Sequence, residues 1–268
     1  MLRKLIEEGA ATMDADPGSL PIDPAAILTT IGTGALPSDH GITGSYVRND
    51  DGKVVVPWGR GSPFSVVATL GDHLDEVTDQ VARIALIGSN TSDRGLIGGN
   101  WYIEHDRDYV NVPSDPMYGQ GSPESVAVAA EELLTSDYAD DSVTDLLGAV
   151  MRSRDLSRLD EALGRIVRAA KAASGDSFVL AITSTGSSEP HSSEAFPAWP
   201  SLGKTLGGSP VLDQWTPGGF FLDREAMTET GLSEDKVVNA LRRVVTTDGE
   251  PLFADVFPAI AVTFARYC

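Results

Sequence analysis

Residues 21–43 read PIDPAAILTTIGTGALPSDHGIT, and this run contains both a helix start and a short apolar helix. Asp23 followed by Pro24 is typical of a helix N-terminus, because an Asp side chain accepts hydrogen bonds from free backbone N–H groups and proline fits the first helical position. The residues that follow, 25–31, are mostly small and apolar. The pattern therefore predicts a short helix that is buried in the core.

A turn rich in glycine and proline comes directly after this helix. Gly32 and Gly34 are predicted to end the helix, and Pro37, Asp39 and Gly41 predict a tight turn. A buried helix whose N-terminus faces an anion, followed by a rigid turn, suits a site for phosphate-like groups. An ordinary core helix capped by its aspartate fits the same residues, and both interpretations stay open at this point.

The residues Thr33-Gly34, Pro37 and His40-Gly41-Ile42 resemble the TG..P..HGI signature of the alkaline-phosphatase superfamily. Within it, the type I phosphodiesterase/nucleotide pyrophosphatase branch is the most similar. The resemblance implies a three-layer α/β/α sandwich with a mostly parallel central sheet. It also implies a Thr or Ser nucleophile at the N-terminus of the preceding helix, and two divalent metal ions held by Asp and His. The family uses the His40 position structurally, and we also include His40 among the candidate binding residues.

A second match to that family lies at the start of the chain. Residues 2–10 resemble the family's L..L...G helix, and Leu2, Leu5 and Ile6 share one face of it. In the family, a β-strand with a metal-binding Asp precedes this helix, and no such strand precedes it here. We therefore expect one alkaline-phosphatase-like domain over residues 1–268 that lacks the family's first strand.

The composition is that of an acidic globular protein. A formal net charge of -19 and a pI near 4.4 argue against a nucleic-acid surface and against docking on anionic lipid. No apolar run reaches the roughly 18–20 residues that a membrane span needs. The sequence has one cysteine, Cys268, and no apolar segment follows residues 1–8. Both observations predict a cytoplasmic protein. A small phosphorylated ligand is compatible with this charge if local cations or metal ions face it.

Helical and strand-like segments alternate along the chain, which predicts an α/β fold. The predicted helices cover residues 71–77, 124–134 and 159–173, with two more beginning at Asp223 and Ser233. The predicted strands cover residues 54–56, 84–88 and 178–182. Residues 187–217 are rich in Ser, Pro and Gly and are predicted to form a long loop or lid.

The metal ligands of the resembling family are missing where they are easiest to recognise. Residues 159–186 resemble the family's long helix and the strand that ends in TSDHG, but here the strand end reads Thr183-Ser184-Thr185-Gly186. A hydroxyl and a hydrogen cannot replace a carboxylate and an imidazole at a zinc site. Ile22 also stands where the family has its nucleophilic Thr, with Asp23 next to it. We therefore predict a degenerate metal centre and no resident cofactor, and take Thr183, Ser184 and Thr185 as candidate binding residues.

Of the four histidines, His191 is the strongest candidate for a functional role. It lies in the long loop behind a predicted strand, and α/β sheets bind ligands at the carboxyl ends of their strands. Ser184, Ser187 or Ser188 could be a nucleophile with His191 as its base, although no G-x-S-x-G elbow surrounds these serines. Asp23 and His191 are the candidate catalytic residues.

These observations predict a divergent homologue of the phosphodiesterase/nucleotide pyrophosphatase enzymes that acts as a binding or accessory protein. Its expected partner is a small phosphorylated molecule. The alternative is an active hydrolase of phosphate esters or diesters with a relocated site near Asp23, Thr185 and His191, which would need Zn2+, Mn2+ or a metal-free nucleophile. A purely structural subunit is a third class. The sequence does not define the oligomeric state.

Overall fold

The computed structural model describes residues 1–12, 14–15, 23–59, 61–88, 91–98, 109–111, 114–115, 119–135, 145–153, 155–185, 211–216, 219–246, 248–253, 255–259 and 261. The helices are α1 (Leu2–Glu8), α2 (Pro24–Thr33), α3 (Pro37–His40), α4 (Leu70–Val77), a 3-10 helix (Thr91–Leu96), α5 (Pro123–Thr135), α6 (Leu156–Ser174), α7 (Arg224–Thr230) and α8 (Glu234–Leu241). The strands are β1 (Val47–Arg48), β2 (Val54–Val55), β3 (Arg83–Ile87), β4 (Tyr109–Asn111), β5 (Ser114–Asp115), β6 (Gly119–Gln120), β7 (Asp145–Ala149), β8 (Leu212–Thr216) and β9 (Gly219–Leu222).

The largest sheet in these residues is parallel, with the strand order β4-β3-β7. Ala85 of the central strand lies opposite Tyr109 on one side and Leu147 on the other. The side chains of residues 84–87 are buried, as is usual for a parallel strand with helices on its faces. The α/β class that the alternating pattern predicts is confirmed.

Helices pack on both faces of this sheet, because successive side chains of a strand point to opposite sides. Ile84 and Leu86 pack in a cluster with Leu28 of α2. Ile87 packs with α5 and α6 through Val126 and Ile166. The 3.6-residue spacing of apolar residues in α6 explains how one face of that helix is buried.

Helix α2 is the most deeply buried helix of this part of the chain. Residues 25–29 are buried, as predicted. Gly32 does not end the helix; it lies in the last turn and packs against the backbone of the 3-10 helix, so that prediction was wrong. The helix ends at Gly34, whose φ of 69° is left-handed and therefore suits glycine.

The strand predicted over residues 178–182 is not formed. These residues are irregular, and Val179 is 98% exposed. Apolar, β-branched residues favour a strand only where a neighbouring strand pairs with them, and no such pairing occurs for this segment within the described residues. The sheet instead uses β4 and β7, which the sequence pattern did not predict because their short segments are rich in polar residues or glycine.

The chain divides into two units, Met1–Gly186 and Ser187–Cys268. In the second unit, α7 and α8 pack on the hairpin β8–β9 through a core that includes Val211, Val237 and Leu241. Asp223 and Ser233 cap these two helices, so both predicted helix starts are confirmed. The single domain over residues 1–268 stays a prediction.

The segment predicted as a loop or lid, residues 187–217, is described only at its end. Residues 212–216 form β8, whereas residues 187–210 and 217 lie outside the described residues. In the part of the chain that the structure describes, every helix is too short or too polar to cross a bilayer.

Candidate functional site

Asp23 closes the N-terminus of α2. Its side chain is 1% exposed, and its Oδ1 accepts hydrogen bonds from the backbone N–H of Ala25 at 3.0 Å and from the hydroxyl of Ser45 at 2.8 Å. Oδ2 is buried as well, near Gly44, and has no hydrogen-bond partner among the residues that the structure describes. The interpretation of Asp23 as a helix cap is confirmed, while a catalytic role for it stays a prediction. A carboxylate in this position also disfavours an anionic group there.

His40 joins α2 to the turn that follows α3. Its ring is fully buried; Nδ1 accepts a hydrogen bond from the N–H of Ile42, and Nε2 lies 3.1 Å from the hydroxyl of Thr30. Because Nδ1 is an acceptor, the ring proton of the neutral form is on Nε2, which donates to Thr30. Burial lowers the pKa of His40, and the nearby Asp39 opposes this effect. His40 is therefore held as a neutral, structural side chain, and a role in binding stays a prediction.

The free energy of unfolding is expected to decrease when the pH is lowered from about 7.5 to about 5.5. The decrease should be smaller in the His40→Asn variant. Because burial lowers the pKa of His40 below 6.5, the unfolded chain binds more protons than the folded one just below that pH. The stabilising contribution is thus present above pH 6.5 and is lost as the pH falls through the lowered pKa of His40. Urea unfolding at both pH values measures it.

The matched control for this comparison is His73→Asn, because the side chain of His73 is 63% exposed. This variant removes a histidine without changing the core, so the pH dependence of its stability should differ from that of His40→Asn. An equal pH dependence in His40→Asn and the wild-type protein would show that His40 titrates alike in the folded and unfolded chains.

Thr183, Ser184 and Thr185 lie in an irregular part of the chain, and their role in binding stays a prediction. They follow the irregular segment behind α6; Thr183 and Ser184 are exposed, and Thr185 is half-buried. The sequence places them at the end of a buried strand, and that placement was wrong because the strand is not formed. His191 lies outside the described residues. A site that His191 shares with Asp23 and Thr185 therefore stays a prediction.

The carboxyl end of the sheet carries two arginines that the sequence analysis missed. Arg152 follows β7 and donates two hydrogen bonds, of 2.6 and 2.8 Å, to the fully buried Asp93 of the 3-10 helix. Arg94, the next residue, donates from Nη1 to the backbone carbonyl of Trp58 at 3.3 Å. Charged residues in the segments that follow β3 and β7 were the available signal, since parallel sheets bind ligands at this end.

A two-metal centre does not fit the donors that the structure brings together. In the described ranges, no three side chains of His, Cys, Asp or Glu gather closely enough to hold a metal ion. Asp23 supplies one carboxylate, which already accepts two hydrogen bonds, and its neighbour Ser45 is a weak metal ligand. The family's metal chemistry therefore finds no support in these residues.

Comparison with known proteins identifies a solved structure that is similar to this chain. No family model and no curated protein matches the chain. The crystal structure of phosphonoacetate hydrolase from Sinorhizobium meliloti 1021 in complex with phosphonoacetate is similar with a TM-score of 0.38 and 15% identity, over 64% of this chain and 46% of that one. The chain thus spans less than half of that protein's length. A likeness of this size assigns neither a family nor an activity to this chain.

Proposed function

We propose that the protein binds a small phosphorylated molecule without hydrolysing it, as a divergent relative of the phosphodiesterase/nucleotide pyrophosphatase branch with a degenerate metal centre. The TG..P..HGI signature of residues 33–42 supports the kinship. In this proposal, the parallel sheet with helices on both faces belongs to the three-layer sandwich of that superfamily, and residues 187–217 are a binding loop or lid.

The buried carboxylate of Asp23 is the single observation that supports the loss of hydrolysis in this proposal. In the resembling family, the N-terminus of this helix presents a hydroxyl to the phosphorus atom. Here, a carboxylate accepts a hydrogen bond from the helix N-terminus and is 1% exposed. It offers no hydroxyl for attack, and its negative charge repels a phosphoryl group. Together with Ile22 at the position of the family's Thr, this supports a loss of hydrolysis.

Hydrolysis is the second candidate function, and one contact favours it. The hydroxyl of Ser45 donates to Asp23 at 2.8 Å, the arrangement by which a carboxylate can orient and activate a nucleophile. In this second proposal, the relocated site lies near Asp23, Thr185 and His191, and Asp23 orients the hydroxyl of Ser45.

Two measurements test the proposed function. The first is the metal content of untagged protein after incubation with Zn2+ and Mn2+ and dialysis, together with hydrolysis of bis(p-nitrophenyl) phosphate. The second is the melting temperature with AMP, inorganic phosphate and, as the matched control, adenosine. We expect background metal, no hydrolysis, and a rise in Tm of several degrees with AMP but not with adenosine, because a ligand stabilises the state that binds it.

Two results would contradict the proposal in different ways. Roughly one or two metal ions per chain with hydrolysis would establish the hydrolase instead, and loss of activity in both Asp23→Asn and Ser45→Ala would locate its site. A Tm that no phosphorylated compound raises would reject binding altogether.

A further inference from the structure

Helix α8 and the turn that follows it carry an open groove lined by basic side chains. The described residues that line it are Lys236, Asn239, Arg242 and Arg243, and its volume is about 450 Å³. Small-molecule sites usually have volumes of about 300–1,000 Å³, so the groove is large enough for such a ligand. The groove belongs to the second unit of the chain, Ser187–Cys268.

The spacing of the lining residues places them on one side of the helix. Lys236, Asn239 and Arg243 are separated by three and four residues, and side chains at this spacing are neighbours on a helix. The backbone keeps its helical hydrogen bonding beyond the end of α8, since the N–H of Arg242 donates to the carbonyl of Val238 at 3.0 Å. Arg243 therefore continues the row that Lys236 begins.

The opposite side of α8 fixes the backbone that carries this row. Val237 and Leu241 are buried and pack in the core of the second unit together with Val244. The guanidinium of Arg243 is oriented as well, because its Nε donates to the backbone carbonyl of Asn239 at 3.0 Å. Donors that are fixed in this way lose little conformational freedom when they bind a ligand.

Two of the three cations have no ion pair within the described residues. Arg242 donates from Nε to Asp255 at 2.9 Å and is paired with it. No acidic residue of the described chain forms an ion pair with Lys236 or Arg243. The two acidic residues that begin α8 are not among the described residues that line the groove. In a chain with 39 acidic and 20 basic residues, such a pair of cations on one helix face is a local exception.

The helix dipole explains the two arginines but not the lysine. Arg242 and Arg243 follow the C-terminal end of α8, where the partial negative charge of the helix favours cations. Lys236 lies in the first turn, where the partial positive charge disfavours a cation. An anion in the groove would offset this unfavourable position and the repulsion between the basic side chains.

We propose that Lys236 and Arg243, with Asn239 between them, bind the phosphate group of a small phosphorylated molecule in this groove. A phosphate monoester carries about two negative charges near neutral pH, which matches the two cations that lack an ion pair. A guanidinium presents a fork of N–H donors that fits phosphate oxygens, and an ammonium adds up to about three donors. The inference rests on the proposed function and deepens it by locating the phosphate contacts on α8.

The experiment measures the Kd of AMP for the full-length protein by isothermal titration calorimetry at low salt and about pH 8. Lys236→Gln combined with Arg243→Gln should raise Kd at least roughly 30-fold, because two charge-assisted hydrogen-bond donors are lost. The matched control is Arg3→Gln combined with Lys171→Gln, which removes two exposed cations from other helices and changes the net charge equally. The control should leave Kd unchanged to within about twofold.

Two competitors test which part of the ligand the groove recognises. Inorganic phosphate should displace AMP from the wild-type protein, whereas adenosine should not, because it lacks the anionic group. Displacement by adenosine but not by phosphate would overturn the inference, since the nucleoside and not the phosphate would then provide the binding energy.

The remaining outcomes separate this inference from the proposed function. If AMP binds and the Lys236/Arg243 double variant keeps the wild-type Kd, the phosphate site lies elsewhere, and only the inference is rejected. If both double variants weaken binding equally, net charge alone accounts for the effect, and the inference is rejected as well. If AMP does not bind to the wild-type protein, both the inference and the proposed function are rejected. All four substituted residues are exposed, so folded circular dichroism spectra are expected from both double variants.

Discussion

Replacing Gly32 with alanine is expected to lower the free energy of unfolding by about 3 kcal/mol, because the new methyl group has no room. A Cβ atom on Gly32 would overlap the backbone carbonyl oxygens of Gly95 and Leu96 in the 3-10 helix. Backbone atoms cannot rotate away as a side chain does, so α2 would have to separate from that helix. The reciprocal contact, in which Gly95 faces Thr29 of α2, leaves no space on the other side.

The matched control is Gly164→Ala, which changes another glycine inside a helix. A Cβ at Gly164 would meet the flexible end of Arg168 at 3.3 Å and the side chain of Met1 at ordinary van der Waals distances of 3.7 and 3.9 Å. Alanine favours a helix over glycine by about 1 kcal/mol, so this variant should be neutral or more stable. Urea unfolding followed by circular dichroism measures both variants. Equal stability changes in the two variants would mean that the close approach of α2 and the 3-10 helix contributes nothing to stability.

Replacing Arg152 with methionine is expected to destabilise the protein by about 2 kcal/mol. Asp93 is fully buried and loses two hydrogen bonds together with the charge that compensates it. Removing one partner of a fully buried ion pair usually destabilises a protein by more than about 2 kcal/mol. We expect the smaller value because the side chain of Arg152 is 36% exposed. The effect arises because a buried carboxylate loses this ion pair next to the end of the sheet.

Arg158→Met is the control with the same chemistry. Arg158 also donates two hydrogen bonds to one carboxylate, but its partner Glu124 is 26% exposed and can be solvated by water when the pair is broken. Arg158→Met should lower the free energy of unfolding by less than about 1 kcal/mol. The double variant Asp93→Asn with Arg152→Met should recover part of the stability lost in Arg152→Met alone. A smaller loss for Arg152→Met than for Arg158→Met would show that Asp93 needs no charge partner.

The helices could be predicted from the sequence because their signals are local. Asp23 with Pro24, Asp223 and Ser233 mark helix starts through hydrogen bonds to backbone atoms two or three residues away. The strands were harder to predict. The apolar run of β3 was recognised, whereas β7 was missed and residues 178–182 were wrongly assigned, because a strand depends on a partner that is distant in sequence.

In the candidate site, too, local contacts could be predicted from the sequence and contacts between distant residues could not. The Asp23 cap could be predicted, because the carboxylate accepts from the backbone N–H of Ala25, two residues further along the chain. Its contact with Ser45, and the contact of Arg94 with Trp58, join residues 22 and 36 positions apart. No periodicity or motif in a single sequence indicates such pairs.

The sequence by itself determined the α/β class, the buried helix α2 with its aspartate cap, and the starts of the last two helices, because short-range capping and the spacing of apolar residues encode them. Only the tertiary structure decided that Gly32 is a packing contact, that Arg152 forms an ion pair with a buried Asp93, and that Arg94 donates to the backbone of Trp58. These features depend on which surfaces meet when the helices pack on the sheet. Burial and close contact are properties of that packing, and no individual segment contains them.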